Sequence, residues 1–260
     1  MNHPDLHLER DGGIATLTIA RPARRNALTL AMWQALAGLF DSLSAEGDLR
    51  CVVLRGAGED AFSAGADVTA FAGERGTEER ERAYNDALVA AFLSIERCAH
   101  PVVAAVRGHA LGGGCGLALM CDFRVGGPST RMGIPARMLN LYYPHEGLDA
   151  LLRIAGHAVA MEMLVEGRTL NGEEALARGL LTRLVPDGEV GAEALALAGR
   201  IAQGAPLANR FHKRALRALR GPLPLTETDR AELDEFPRTA DFQEGVAAFN
   251  AKRRPVFQGR

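Results

Sequence analysis

Residues 107–123 read RGHALGGGCGLALMCDF, and the fold turns on how this stretch is parsed. The apolar run Val102–Val106 leads into it, three glycines follow at Gly112, Gly113 and Gly114, and a second apolar run covers Leu117–Met120. That order predicts a buried strand, a tight glycine loop and a buried helix. Glycines at such a junction let backbone amides approach a ligand without an intervening side chain. A helix start beyond them offers unpaired N–H groups and the positive end of a dipole. The combination suits a negatively charged oxygen.

Working outward toward the N-terminus, residues 56–68 read GAGEDAFSAGADV, a second small-residue loop centred on Gly65 and preceded by a buried strand at Cys51–Arg55. Asp5–Arg10 and Ile14–Ala20 alternate like two strands joined at Asp11-Gly12-Gly13. Thr29 precedes Trp33, Leu36, Phe40 and Leu43 at helical spacing. Val68–Arg75 has no clear period, and 77–98 reads as a long amphipathic helix with an acidic first turn. Toward the C-terminus, short strands are expected at Cys121–Val125, Arg131–Pro135 and Leu181–Val185, with an irregular loop over 136–147, ARMLNLYYPHEG. Helical patterns surround Leu148–Ala155 and Ala158–Val165, and Asn171-Gly-Glu-Glu174 has the form of a capping box. From Glu189 only helices are expected, broken at Gly204-Ala205-Pro206 and Gly221-Pro222. Strands alternating with helices give an α/β class.

The totals limit the function classes. With 260 residues, 47% apolar and 24% charged, the chain is long enough for a large core. A net charge of −2 and the lack of a basic stripe argue against nucleic acid. The apolar runs are too short to span a bilayer, and MNHPDLHLER has no signal-peptide core. Four cysteines, three in apolar surroundings, fit reduced core thiols and a cytoplasmic location.

Several standard motifs are excluded. Leu117 stands where a dinucleotide fingerprint needs its last glycine, and no Gly-Lys-Ser/Thr follows the glycine loop. AFSAG at 61–65 has Ala61 in place of the first glycine of a nucleophile elbow. Asp149 replaces the second histidine that His145-Glu146 would need to bind zinc, and no other His or Cys pair has metal spacing, so no metal is expected. Two glycine loops remain, each after a buried strand and each able to present one backbone N–H; two converging donors would form an oxyanion hole.

RPARRNAL, AFSAGADV, ALGGGCGLALMCDFRV and QEGVAAFNAKRRPVF together resemble the crotonase family of enoyl-CoA hydratases and isomerases. The resemblance covers nearly the whole chain and implies a spiral of ββα units over residues 1–200, with a helical region over 201–260 used for homotrimer packing, trimers pairing into hexamers. It implies an acyl-CoA thioester substrate, with coenzyme A entering as part of that substrate and no permanently bound cofactor. By position the thioester oxygen falls to the amides of Ala66 and Gly113, the adenine end to Ala64, Asp67 and Val68, and the CoA phosphates to Arg24 and Lys252. Hydratases of the family carry two glutamates where this chain has Gly116 and Ala136. Loop 141–147 then becomes the source of replacements: Glu146 is the first candidate acid or base, beside Tyr142, Tyr143 and His145. Hydration or a double-bond shift is the expected chemistry. Decarboxylation, which needs the oxyanion site but no dedicated base, is the alternative, together with a weakly catalytic acyl-CoA binding protein. His109, Ser63 and Asp122 read as structural.

Overall fold

The computed structural model describes residues 3–219, 238–253 and 255. The chain opens with a hairpin, β1 (Leu6–Asp11) and β2 (Ile14–Ile19), turning at Gly12 with φ +53°. Helix α1 (Leu30–Ser44) follows, its N-terminus capped by the Thr29 side chain, which accepts from Met32 N.

Three consecutive ββα units come next. They are β3 (Cys51–Gly56), β4 (Ala61–Ser63) and α3 (Glu78–Arg97), with short helix α2 (Phe71–Glu74) inserted between β4 and α3. The second is β5 (Val102–Val106), β6 (His109–Leu111) and α4 (Gly113–Met120). The third is β7 (Phe123–Gly126), β8 (Arg131–Gly133) and α5 (His145–Met161). The first strand of each unit joins one sheet and the second joins another. With β9 (Thr169–Asn171), α6 (Gly172–Ala177) and β10 (Arg183–Leu184), the described residues form a sheet ordered β1-β2-β3-β5-β7-β10 and a smaller one ordered β4-β6-β8-β9. Each unit steps one strand along both sheets, so the chain winds as a spiral.

Side-chain alternation along β3 and β5 explains why the large sheet is covered on both faces. Val52, Leu54, Val102 and Ala104 face the main core with Trp33, Leu36, Phe40 and Phe92, while Cys51, Val53, Val103 and Ala105 face α7 (Val190–Ala202) through Val190, Ala194 and Leu197. All four cysteines are buried and unbridged. Helix α8 (Pro206–Ala218) is tied to the body by Arg210 to Gly47 O (2.7 Å) and by Lys213 to Asp122 (2.7 Å) and His100 O (3.0 Å). Helix α9 (Ala240–Asn250) lays Gly245 against Leu139 and Phe242 against Phe71.

Some expectations shift. Three-residue strands β4, β6 and β9 were not apparent from the pattern. Loop 136–147 is shorter than its composition suggests: a 3-10 turn covers Pro135–Leu139 and α5 begins at His145. The two helical patterns after it are separated, as expected, by non-helical Gly156 (φ +79°, ψ 169°), and the second runs into a π-helical turn at Glu162–Glu166. Val68–Arg75 forms a 3-10 turn and α2 rather than an irregular run. The expected break at Gly221-Pro222 lies outside the described residues.

Candidate active site

The two glycine loops meet. Gly65 has φ +85°, open to glycine at little cost, and a Cβ there would stand 2.6 Å from Leu111 O and 2.7 Å from Gly113 N. The loops therefore touch backbone to backbone, a distance that no side chain at 65 allows.

Each loop has its own support. Segment 25–28 runs beside 63–67: Ala64 N donates to Arg25 O, Leu28 N to Gly65 O and Asp67 N to Leu28 O. In this parallel bridge the Gly65 carbonyl and Asp67 amide point toward Leu28, which turns the Ala66 N–H the other way. Buried Asn26 braces the bend, donating to Ala57 O (2.9 Å) and Ala61 O (2.7 Å) and accepting from Arg21 N (3.0 Å). Ser63 Oγ donates to Asn26 O and accepts from Gly65 N, so its role is structural as expected. On the other loop, Gly112 (φ +51°) donates to Gly133 O, and Gly113 opens α4 with one of the N–H groups that a helix cannot pair internally. Neither the Ala66 nor the Gly113 N–H meets a protein acceptor among the described residues.

Both residues line one cavity of about 450 Å³. Ala64, Asp67, Val68 and Arg24 share its wall, as do Tyr142, Tyr143 and Ala136. The Asp67 carboxylate is nearly buried and bonds Thr69 Oγ1 (2.6 Å) and Arg21 (3.1 Å). Burial pushes this carboxyl upward, but the bonds from Thr69 and Arg21 outweigh burial and hold it below its ordinary range.

Three expected site residues lie elsewhere. Glu146 sits in the first turn of α5, only 3% exposed, and is not part of the cavity wall; neither is His145. Lys252, exposed just beyond α9, is not part of it either; Phe249, one turn earlier, is.

The two positions where the resemblance leads to an expected glutamate differ in kind. Ala136 faces the cavity. Gly116 is packed over: a Cβ there would stand 2.2 Å from Phe92 Cζ and 2.5 Å from the Tyr143 hydroxyl. Tyr143 donates to Gly112 O (3.0 Å). Burial raises its pKa well above the phenol range, so it remains a neutral O–H donor.

The structure also adds residues that the sequence did not single out. Arg75 lines the cavity between the rings of Tyr84 (4.5 Å) and Phe71 (4.7 Å) and pairs with fully buried Glu81, Nε to Oε2 at 2.8 Å. Burial lowers its pKa to about 10, still fully charged at neutral pH. Trp33 packs its ring edge under Gly113 and donates Nε1–H to Tyr84 (2.9 Å). No local pattern announces Arg75; Asn26 and Trp33 stand inside recognisable segments but carry no motif of their own.

No cluster of three or more His, Cys, Asp or Glu suited to a metal occurs among the described residues, and no helix among them is long and apolar enough to cross a membrane.

The family model for enoyl-CoA hydratase/isomerase matches residues 9–260, and the chain belongs to that family. It is 34% identical over 266 residues to the crotonyl-CoA hydratase of Syntrophomonas wolfei, covering 99% of each chain. It is 32% identical to the 2,3-dehydroadipyl-CoA hydratase of Escherichia coli, over 98% of this chain and 99% of that one. Among solved structures, an enoyl-CoA hydratase/carnithine racemase from Magnetospirillum magneticum aligns with a TM-score of 0.81 and 42% identity over 100% of this chain and 97% of the other. A methylmalonyl-CoA decarboxylase aligns over 100% of both chains with a TM-score of 0.89 and, at 24% identity, shares the fold.

Proposed function

We propose that the protein processes acyl-CoA thioesters through an enolate whose oxygen is held by the N–H groups of Ala66 and Gly113. The observation that carries this reading is the backbone contact between the Gly65 and Gly113 loops, with both donors on one cavity. A thioester enolate concentrates charge on one oxygen, and preorganised amides stabilise it without a metal. One donor lies at the start of α4, where the helix dipole adds to the field. Coenzyme A enters as part of the substrate, its adenine end against Ala64, Asp67 and Val68. Arg24, exposed on the cavity wall and without an ion pair among the described residues, is the phosphate contact.

Family membership favours hydration or a double-bond shift, with proton transfer from loop 141–147. In that loop Tyr142 is the wall residue able to donate a proton, since the Tyr143 hydroxyl is engaged with Gly112 O. Decarboxylation is the second reading, and one observation favours it: the seat of the first hydratase glutamate is filled by Phe92 and Tyr143. In that reaction the bond from Cα to a substrate carboxylate breaks, carbon dioxide leaves and the electron pair passes to the thioester oxygen. A proton then returns to Cα. The exposed apolar side chains of Leu207, Phe211 and Leu216 on α8 support the homotrimer, or a hexamer of trimers, expected for the C-terminal region.

The test is a panel of enoyl-, β-hydroxyacyl- and malonyl-type CoA thioesters followed by mass spectrometry. Gain of water, loss of carbon dioxide, or isomerisation seen only by chromatography separates the reactions. Binding with no conversion of any thioester identifies a carrier and refutes catalysis.

A further inference from the structure

We propose that Tyr143 is the positioning residue of the Gly113 donor: its hydroxyl fixes the Gly112–Gly113 peptide so that the N–H faces the cavity. The inference rests on the acyl-CoA reading above. The peptide in question joins two glycines, and Gly112 adopts φ +51°. With no Cβ on either side, few steric barriers prevent the peptide plane from turning over. Turned over, it would present a carbonyl to the thioester oxygen, and repulsion would replace stabilisation.

Two bonds to Gly112 O oppose that rotation, and a third anchors the peptide before it. Gly112 N is held by Gly133 O of β8 at 2.9 Å, and Gly112 O accepts from Gly116 N at 3.1 Å and from Tyr143 at 3.0 Å. The bonds with Gly133 and Gly116 belong to the sheet and the helix. The bond from Tyr143 comes from a side chain whose ring has a seat made for it. A Cβ on Gly116 would stand 2.5 Å from the Tyr143 hydroxyl, and a Cβ on Gly147 would stand 2.4 Å from its Cε1. Two glycines on different helices, α4 and α5, leave the slot into which the phenol fits. A donor on the carbonyl side of an amide also polarises the N–H of the same amide, strengthening it by about 10–30%. The absent carboxylate at 116 is thus what gives the tyrosine its place.

The test compares Tyr143→Phe with wild type, using trans-2,4-hexadienoyl-CoA as a chromophoric ligand. Polarisation of the thioester carbonyl shifts its absorbance to the red, and titration gives the dissociation constant in the same experiment. The variant is expected to bind within about twofold of wild type but with a clearly smaller red shift. With whichever substrate turns over, kcat is expected to fall about tenfold, the order of one hydrogen bond, with KM little changed and the pH profile unmoved. Gly147→Ala, which crowds the ring without touching the hydroxyl, should reduce the red shift in the same direction. A full red shift in Tyr143→Phe overturns the inference, whether turnover persists or is lost; lost turnover with a full shift would make the phenol a proton donor instead. If wild type binds the probe with no red shift, or does not bind it, the acyl-CoA reading itself fails.

Discussion

Gly116→Ala sets two ordinary effects against each other, and the structure decides which prevails. Gly116 lies in the interior of α4, where replacing glycine by alanine normally stabilises by about 0.5–1 kcal/mol. Here the new methyl would stand 2.2 Å from Phe92 Cζ, 2.7 Å from Phe92 Cε2 and 2.5 Å from the Tyr143 hydroxyl. All three contacts must open by about 1 Å to reach van der Waals distance. Phe92 cannot yield freely, being fully buried and packed edge-on against Trp33 at 6.2 Å. Overpacking of this kind costs about 1–3 kcal/mol, and loosening the bond from Tyr143 to Gly112 adds about 0.5–1.5 kcal/mol. The net expectation is a loss of about 1–3 kcal/mol, which for a chain of this size lowers Tm by several degrees. Urea denaturation followed by circular dichroism, with Phe92→Leu and the double variant completing a cycle, measures it. The double variant should recover part of the loss, with a coupling of about 0.5–3 kcal/mol. A Gly116→Ala protein as stable as wild type, or more so, would refute the argument that this position is filled. By the same geometry, Gly116→Glu alone cannot seat a carboxylate; a gain in crotonyl-CoA hydration is expected only when Phe92 is also made smaller and Ala136→Glu is added.

Gly65→Ala should cost about two orders of magnitude in turnover, the scale of losing one oxyanion donor, because the methyl meets Leu111 O and Gly113 N; steady-state kinetics on an active thioester checks it. Glu146→Gln should leave kcat within about twofold, since the residue is not on the cavity wall, whereas a general acid or base contributes about 10²–10⁴; a large loss would return Glu146 to acid–base duty. Burial, assisted by the Arg210 charge, lowers the pKa of His100 to about 4 from an ordinary 6.5. The unfolded chain therefore binds this proton more readily, and stability should decline as pH falls from 6.5 toward 4, by about 1–2 kcal/mol at pH 5. His100→Gln should flatten that part of a urea-midpoint profile; an unchanged slope would assign the dependence to other groups.

Features with a local cause were legible in the sequence. The Thr29 cap, the Asn171–Glu174 capping box and the step from strand to glycine loop to helix at 107–123 follow from adjacent residues. Of the small sheet only β8 was legible, because β4, β6 and β9 have three residues each and show no period. The Asn26 brace spans 35 residues to Ala61, and the Arg75 pair depends on a turn that no local pattern specifies. The amides at 66 and 113 were proposed through the family resemblance, and the contact between their loops could not be seen in either one. Position 116 was read as a lost carboxylate; in the fold it is also room made for Tyr143.

The single bridge between Leu28 and Ala66 determines which variants this cleft tolerates. It aims an amide using main-chain atoms alone, so the residue type at 66 hardly enters the geometry. Alanine scanning, the usual search for functional groups, would pass over position 66 without a signal, and at 113 would report only crowding against Trp33. Lineages could exchange side chains around the cleft while this main-chain arrangement stayed the same.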